Sequence, residues 1–195
     1  MSASATEGAS PDPGARDALA GQDLFELGRQ AAAARDARWN RRGFFARRRA
    51  ANDEAQDQAI VRFPFRNGES DAERLARLAA LAEVTPAPAA IMPAPEGEPH
   101  GLDTLRLFAL CRLSLPAVPH LIADVTRLGP RLAQMALGFG ADELYAPIVG
   151  ERALRLGDNA HNPALTRKEA AVLIRGAGLT ASERLAGDTY EEVTA

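Results

Sequence analysis

Short β-rich segments alternate with amphipathic helical segments along most of this chain, beginning near residue 59. Strand-like segments start near residues 59, 88, 118 and 141, and the segments between them have the length and periodicity of helices of about 10–15 residues. Two parallel strands need a crossover connection, which a helix usually supplies. The alternation therefore predicts a mainly parallel sheet built from β–α units.

The length of the chain limits how much of a β/α barrel it can form. A complete eight-stranded barrel takes about 250 residues, whereas this chain has 195. We therefore predict an α/β fold, an incomplete TIM-type β/α barrel with about four to five mainly parallel strands. The division we expect is a disordered tail over residues 1–20, a single truncated barrel domain over 21–190 and a short tail over 191–195.

Capping residues and Gly/Pro positions set the boundaries we expect for each element. Ser70 with Glu73, and Thr166 with Glu169, form capping-box patterns before two of the helices. Helices are predicted over 21–38, 71–83, 101–115, 129–140 and 166–178. Strands are predicted over 43–49, 59–65, 89–92, 118–126 and 141–149. Residues 50–58 are predicted to form a loop and 179–195 a polar tail, while the pairing of 43–49 with either 59–65 or 141–149 is left open.

Composition excludes several classes of protein. A net charge of −3 gives no basic surplus for nucleic-acid binding. The single cysteine excludes a disulfide framework. No apolar run reaches the roughly 18 residues of a membrane span. The N-terminus lacks the basic and apolar regions of a secretory signal, so we expect a cytoplasmic protein without membrane or nucleic-acid partners.

Several phrases, in order, resemble one enzyme family. They are DLFELGRQAAAARDAR, FPFRNGESDAERLARLAALAE, ALCRLSLPAVPHLIADVTRLG, AQMALGFGADEL, VGERALRLG and VLIRGAGLTASERLAGDTY. The set resembles the opening helix and the C-terminal half of the radical SAM enzymes of menaquinone biosynthesis by the futalosine route, aminofutalosine synthase and cyclic dehypoxanthine futalosine synthase. The resemblance implies a barrel fold and a link to that pathway.

The cofactor chemistry of that family is where the chain departs from the resemblance. The family carries three cysteines after its first strand, which hold a [4Fe–4S] cluster that binds S-adenosylmethionine. This chain has only Cys111, on a predicted helix, where we expect it to be a small buried apolar residue. The resemblance therefore implies that radical SAM chemistry is not available from this chain alone, and we expect neither that cofactor nor a metal.

Five residues are candidates for a site. Glu69 and Asp142 are the catalytic candidates. Glu69 follows the carboxyl end of a predicted strand, where barrel enzymes place working residues, and the resemblance implies that the segment of Asp142 borders the active site. Arg66, Asn67 and Glu143 are the candidate ligand-binding residues, because an arginine and an amide suit an anionic or polar ligand. The alternative roles are structural: an acid at a helix N-terminus for Glu69, a solvated acid or a salt bridge for Asp142, and a solvated strand end for Arg66 and Asn67.

Two further patterns carry weaker hypotheses. His120 and Asp124 lie four residues apart on one predicted strand and face the same way, but no third ligand stands at a convincing position, so His120 is expected to bind a backbone group instead. The arginine-rich stretch 35–49, with interleaved aromatic residues, is similar to a single-strand nucleic-acid patch. The acidic balance of the rest of the chain disfavours that function.

The leading functional hypothesis is a cluster-less, shortened paralogue of the futalosine-pathway enzymes. It acts as a non-catalytic binding or partner subunit, because an incomplete barrel exposes strand edges that must be covered or paired. The expected partner is a second copy or a full-length radical SAM enzyme, with a small-molecule ligand in addition. The alternative is a non-iron enzyme acting on a nucleoside-like or quinone-precursor ligand, which requires Glu69 and Asp142 to converge in one pocket. A decayed gene product without activity is the third hypothesis.

Overall fold

The computed structural model describes residues 14, 18–46, 60–150, 164–185 and 189–193. The helices are α1 (Leu24–Trp39), α2 (Asp71–Ala82), α3 (Gly101–Ser114), α4 (Val125–Gly138) and α5 (Arg167–Gly176). The strands are β1 (Arg42–Ala46), β2 (Ile60–Phe65), β3 (Ala90–Pro95), β4 (His120–Asp124), β5 (Glu143–Tyr145), β6 (Thr180–Arg184) and β7 (Tyr190–Glu192). The predicted loop over 50–58 and most of the predicted N-terminal tail lie outside the described residues.

The seven strands form one sheet in the order β2-β3-β4-β5-β1-β6-β7. Neighbouring strands are parallel except β6 and β7, which are antiparallel. The predicted α/β class and mainly parallel, incomplete barrel are confirmed, since β2 and β7 stand at opposite edges of a sheet that does not close. The prediction of four to five strands was too low.

The position of β1 answers the pairing question left open by the sequence. β1 pairs with β5 on one side, where Phe44 lies opposite Glu143, and with β6 on the other, where Phe44 lies opposite Ser182. It does not pair with β2, so the segment 43–49 joins the segment 141–149. The strand itself is described as far as Ala46.

The segment expected to be a polar tail contributes two strands instead. β6 reads TASER and β7 reads YEE, and neither has the apolar alternation of a strand. Pairing with β1 nevertheless buries Ala181, Ser182 and Glu183. Their burial depends on tertiary contacts that local sequence does not encode.

Helix boundaries follow their caps. Both predicted capping boxes are present: Ser70 and Glu73 exchange side-chain and backbone hydrogen bonds before α2, as do Thr166 and Glu169 before α5. α4 begins four residues before the predicted start at 129, with Asp124 as its N-cap. It is interrupted at Gly129, whose φ of 75° is not helical, immediately before Pro130.

The sheet has two unequal faces. Helices cover one face and form the large core with it, including Phe45, Phe65, Ile91, Phe108 and Leu78, all at most 1% exposed. The other face carries a small cluster of Ala90, Met92 and Ile122 together with polar residues. This asymmetry is typical of a barrel wall, in which helices pack outside and the strands enclose the interior.

The helices in the described ranges are all too short or too polar to cross a membrane.

Candidate functional site

A cleft of about 450 Å³ opens beside the carboxyl end of β2. Barrel enzymes place their working residues at the carboxyl ends of the strands. The cleft is formed by the end of β2, the turn that leads into α2, the first turns of α2 and the residue that follows β3. Its lining residues are Pro64, Phe65, Arg66, Asn67, Gly68, Glu69, Glu73, Arg77 and Glu96.

Glu69 is the central acid of the cleft. Its Oε1 accepts a hydrogen bond of 2.5 Å from Arg77, and its Oε2 lies 3.9 Å from Nε of Arg74. The side chain is 15% exposed, whereas that of Arg74 is 1% exposed. The turn before α2 therefore holds Glu69 between two arginines, with one carboxylate oxygen bound and the other buried.

The buried side of this arrangement contains an unused donor and an unused acceptor. Within the described part of the chain, Glu69 Oε2 and Arg74 Nε have no hydrogen-bond partner. A buried polar group without a partner is costly and is usually satisfied by water or a ligand.

Arg66 and Asn67 lie at the rim of the same cleft. Arg66 Nε is 2.7 Å from Glu96, which raises the pKa of its guanidinium, and its side chain is 80% exposed. Asn67 joins the loops after β2 and β3: its Nδ2 donates to the Glu98 carbonyl and its Oδ1 accepts from the His100 amide. The structure thus brings together three of the five sequence-predicted residues.

Asp142 lies at the opposite end of the parallel strands. It immediately precedes β5, at the amino end of these strands, and is 0% exposed. Oδ1 accepts from the Arg112 guanidinium and, at 2.7 Å, from the Leu121 amide. Oδ2 is 2.6 Å from His120 Nδ1. Of the two structural alternatives for Asp142, the salt bridge is the one observed.

The two catalytic candidates therefore do not meet. Glu69 follows the carboxyl end of β2, whereas Asp142 precedes the amino end of β5, and the two strands belong to one parallel arrangement. A reaction that requires both carboxylates at one substrate has no site in this geometry.

Arg112 binds Asp142 together with His120, and it is a residue that the sequence analysis did not identify. It lies on α3, is 6% exposed, and donates to the Gly140 carbonyl as well as to Asp142. Burial lowers the pKa of its guanidinium despite the opposing effect of Asp142. Its position on the apolar face of the predicted helix was a usable signal, since a buried arginine requires an acidic partner.

His120 and Asp124 also act locally. His120 binds the Asp142 carboxylate instead of the backbone group that we expected, and its ring stacks on Trp39 with centroids 4.7 Å apart. Asp124 caps α4 by accepting from the amide and hydroxyl of Thr126. No group of three potential metal ligands occurs in the ranges that the structure describes.

Glu143 is separated from the cleft by two strands. It lies on β5, while β3 and β4 stand between β5 and β2. It is 1% exposed, and its Oε1 is 2.8 Å from Arg184 on β6. The predicted ligand residue thus belongs to the inner face of the sheet.

Cys111 does not fit the iron–sulfur cluster that the family resemblance implies. It is 1% exposed within α3, and burial raises the pKa of its thiol to about 12. A cluster ligand must be a thiolate, and a cluster of this type needs three of them. The expected burial of Cys111 is confirmed.

Comparison with known proteins finds partial similarity to curated enzymes of two kinds. An aminodeoxyfutalosine synthase of Thermus thermophilus is 36% identical over 93 residues, which are 48% of this chain and 24% of that protein. The 5-amino-6-(D-ribitylamino)uracil–L-tyrosine 4-hydroxyphenyl transferase 1 of Methanosarcina barkeri is 33% identical over 85 residues, 43% of this chain and 23% of that protein. An aminodeoxyfutalosine synthase of Streptomyces coelicolor is 35% identical over 85 residues, which are 43% of this chain and 22% of that protein. No family model matches the chain.

The chain spans about a quarter of the length of the curated relatives it matches. Two of these three are synthases of the futalosine route, the pathway indicated by the sequence motifs. The chain is thus similar, over less than half of its length, to the futalosine-pathway enzymes.

Proposed function

We propose that this chain is a shortened, cluster-less relative of the aminodeoxyfutalosine synthases that binds a polyhydroxylated heterocycle of the menaquinone pathway without transforming it. The cleft beside β2 is the binding site, with Glu69, Arg66 and Asn67 as its polar groups. The observation that carries the proposal is the position of Glu69: its carboxylate lies between the Arg77 and Arg74 guanidiniums and is 15% exposed in a cleft that Arg66 and Asn67 also line.

The relatives support this class of ligand. Aminodeoxyfutalosine, from which two of them are named, is a nucleoside derivative. The name of the third includes a uracil with a ribitylamino chain, which is also a heterocycle joined to a polyol. Hydroxyl groups of such a molecule can donate hydrogen bonds to the Glu69 carboxylate, while the rim residues suit polar substituents.

A non-catalytic role agrees with the single cysteine of the chain and with the position of the acids. In the proposal, Asp142 stabilises the fold and Glu69 binds the ligand. The partner role expected from the open barrel remains part of this proposal, with a second copy or a full-length radical SAM enzyme as partner. The alternative of a non-iron enzyme that uses Glu69 and Asp142 together has no observation in its favour.

Isothermal titration calorimetry with aminodeoxyfutalosine tests the proposal. We expect saturable binding by the wild-type chain and about tenfold weaker binding by Glu69→Gln, because the neutral amide loses a charge-assisted hydrogen bond. Glu83→Gln is the matched control: Glu83 is an exposed glutamate at the C-terminus of α2, away from the cleft lining. Absence of binding by the wild type, or equal affinity of the wild type and Glu69→Gln, would overturn the proposal.

A further inference from the structure

We propose that a second copy of this chain docks through the two edge strands of the sheet, with β2 of one copy antiparallel to β7 of the next. The inference rests on the partner role in the proposed function and specifies the surface that this role requires. It commits to a head-to-tail contact between different edges, because the charges on the two edges are opposite.

The β2 edge is an apolar strand with a single charged residue. Its six residues read IVRFPF, and β2 is the terminal strand of the sheet. An exposed apolar edge strand is a template for pairing with another chain. Arg62, at its centre, is exposed, and its guanidinium lies 3.5 Å from the Met92 sulfur, its one side-chain hydrogen bond among the residues that the structure describes.

The backbone of β2 presents hydrogen-bonding groups at this edge. The amide of Glu96, just past β3, donates to the Phe65 carbonyl at 2.8 Å, so the backbone carbonyl of Phe65 points toward β3. Backbone groups alternate in direction along a strand. Arg62 and Pro64 therefore point their carbonyls away from β3, and in agreement with this the Pro64 carbonyl is bound by Arg77 of α2.

The other edge of the sheet is acidic. The amide of Val193 donates to the Ala181 carbonyl at 2.9 Å, so the backbone amide of Val193 points toward β6. By the same alternation, the backbone of Glu192 points away from β6, toward the edge. The side chains of Glu191 and Glu192 are exposed on this strand.

Arg62 and Glu192 stand at the two ends of one row of residues across the sheet. Directly paired residues project to the same face of a sheet. The row is formed by Arg62, Met92, Ile122, Glu143, Phe44, Ser182 and Glu192, where Met92 and Ile122 continue the register of Ile91 and Leu121. Neither end residue has an ion-pair partner among the described residues. Joining β2 to β7 of a second copy in register therefore places Arg62 opposite Glu192, with outward backbone groups on both strands.

Symmetric contacts are disfavoured by the same charges. A β7–β7 contact brings the glutamates of two copies together, and a β2–β2 contact centred on Arg62 brings two guanidiniums together. Like charges directly opposite across strands are destabilising. The head-to-tail contact brings opposite charges together. It is short and depends on concentration, because β7 has three residues and Pro64 of β2 has no amide to donate.

Light scattering over a concentration series tests this contact with charge-reversed variants. We expect the wild type to exceed the monomer mass as concentration rises. Arg62→Glu and Glu192→Arg, each alone, weaken association about tenfold, because each places like charges across the contact. Both residues are exposed, so neither change removes a buried contact.

A mixture of the Arg62→Glu and Glu192→Arg chains tests the charge pairing most strictly. The Arg62→Glu chain is acidic at both edges and the Glu192→Arg chain is basic at both edges, so in an equimolar mixture association between unlike chains is restored. The double variant, which carries both reversals, also regains association. A wild type that is monomeric throughout, single variants that associate like the wild type, or a double variant that recovers while the mixture does not would overturn the inference. Association of the wild type only with an aminodeoxyfutalosine synthase would also overturn it.

Ligand binding separates this inference from the proposed function. Calorimetry with aminodeoxyfutalosine on Arg62→Glu reports on the cleft, because Arg62 does not line it. Unchanged ligand affinity together with unaltered association overturns the docking surface alone. Loss of ligand binding by the wild type, with charge-dependent association intact, overturns the ligand proposal alone.

Discussion

The acidic residues at the two ends of the parallel strands differ in their burial and in their hydrogen bonds. At the amino end, Asp142 is fully buried and each of its carboxylate oxygens is bound. At the carboxyl end, Glu69 lies at a cleft and has one oxygen bound and one without a partner in the described chain. The first arrangement stabilises the fold and leaves no carboxylate oxygen for a ligand, whereas the second leaves a partly exposed carboxylate at a cleft.

The largest effect is expected from Asp142→Ala. It removes the partner of the buried Arg112 guanidinium and leaves an uncompensated charge, which costs about 3–5 kcal/mol of the free energy of unfolding. Urea denaturation of both proteins measures the difference. Asp142→Asn is the control, since it keeps an acceptor for the Leu121 amide and should lose less. A loss below about 1 kcal/mol for the alanine variant would contradict the structural role.

Two glycines compare the packing of the two ends directly. Gly140 and Gly97 have nearly equal φ values, +98° and +100°. A Cβ at Gly140 would lie 2.8 Å from Cβ of Arg112, whereas none of the described side chains or backbone comes within 4 Å at Gly97. Gly97→Ala should cost about 1–2 kcal/mol for the conformation alone, and Gly140→Ala about 3 kcal/mol with overpacking added. Equal losses in thermal or urea unfolding would contradict the difference in packing.

Glu69→Gln should separate binding from stability. Its partner Arg77 is partly exposed, so the free energy of unfolding should fall by less than about 1 kcal/mol, while affinity for aminodeoxyfutalosine falls about tenfold. Urea denaturation and calorimetry on one preparation give both numbers. A loss of stability comparable to that of Asp142→Ala would place Glu69 with the structural acids.

The smallest effect concerns pH. Burial raises the pKa of Asp71, but hydrogen bonds from Arg106 and from the Gly21 amide outweigh it, so the pKa lies below the ordinary value of an aspartate. A carboxylate with a lowered pKa stabilises the fold above its unfolded-state pKa and loses that contribution as pH falls through the folded-state value. Near neutral pH, the free energy of unfolding of the wild type should exceed that of Asp71→Asn by under about 1 kcal/mol. This difference should shrink below about pH 4. A difference that grows on acidification, measured by urea midpoints, would contradict this assignment.

Local signals in the sequence accounted for the elements whose own residues specify them. The capping boxes at Ser70 and Thr166 located the starts of α2 and α5, and apolar periodicity located most helices and the strands up to β5. β6 and β7 could not be found in this way. Glu183 is buried in β6, and Arg167, 16 residues earlier, binds its carboxylate at 2.6 Å. Such a pair is visible only once the chain has folded.

The sequence predicted only the part of the candidate site whose residues are neighbours along the chain. Arg66, Asn67 and Glu69 are neighbours in sequence, and a strand end followed by a helix start brought them to one cleft. Asp142 was grouped with Glu69 on the basis of resemblance alone. Its real partners, Arg112 and His120, lie 30 and 22 residues away in sequence. The packing of α3 against the sheet sets the first contact and the register of β4 beside β5 sets the second, and sequence periodicity determines neither.

Amide chemical-shift mapping on the ¹⁵N-labelled chain, titrated with aminodeoxyfutalosine, tests the central contrast most directly. Ligand binding at the cleft predicts saturable shifts for the amides of Asn67, Gly68 and Glu69 at the carboxyl end of the strands. The amides of Leu121 and Asp142 at the amino end should stay in place. Shifts confined to Leu121 and Asp142, or no shift in the turn from Asn67 to Glu69 at saturating ligand, would contradict it.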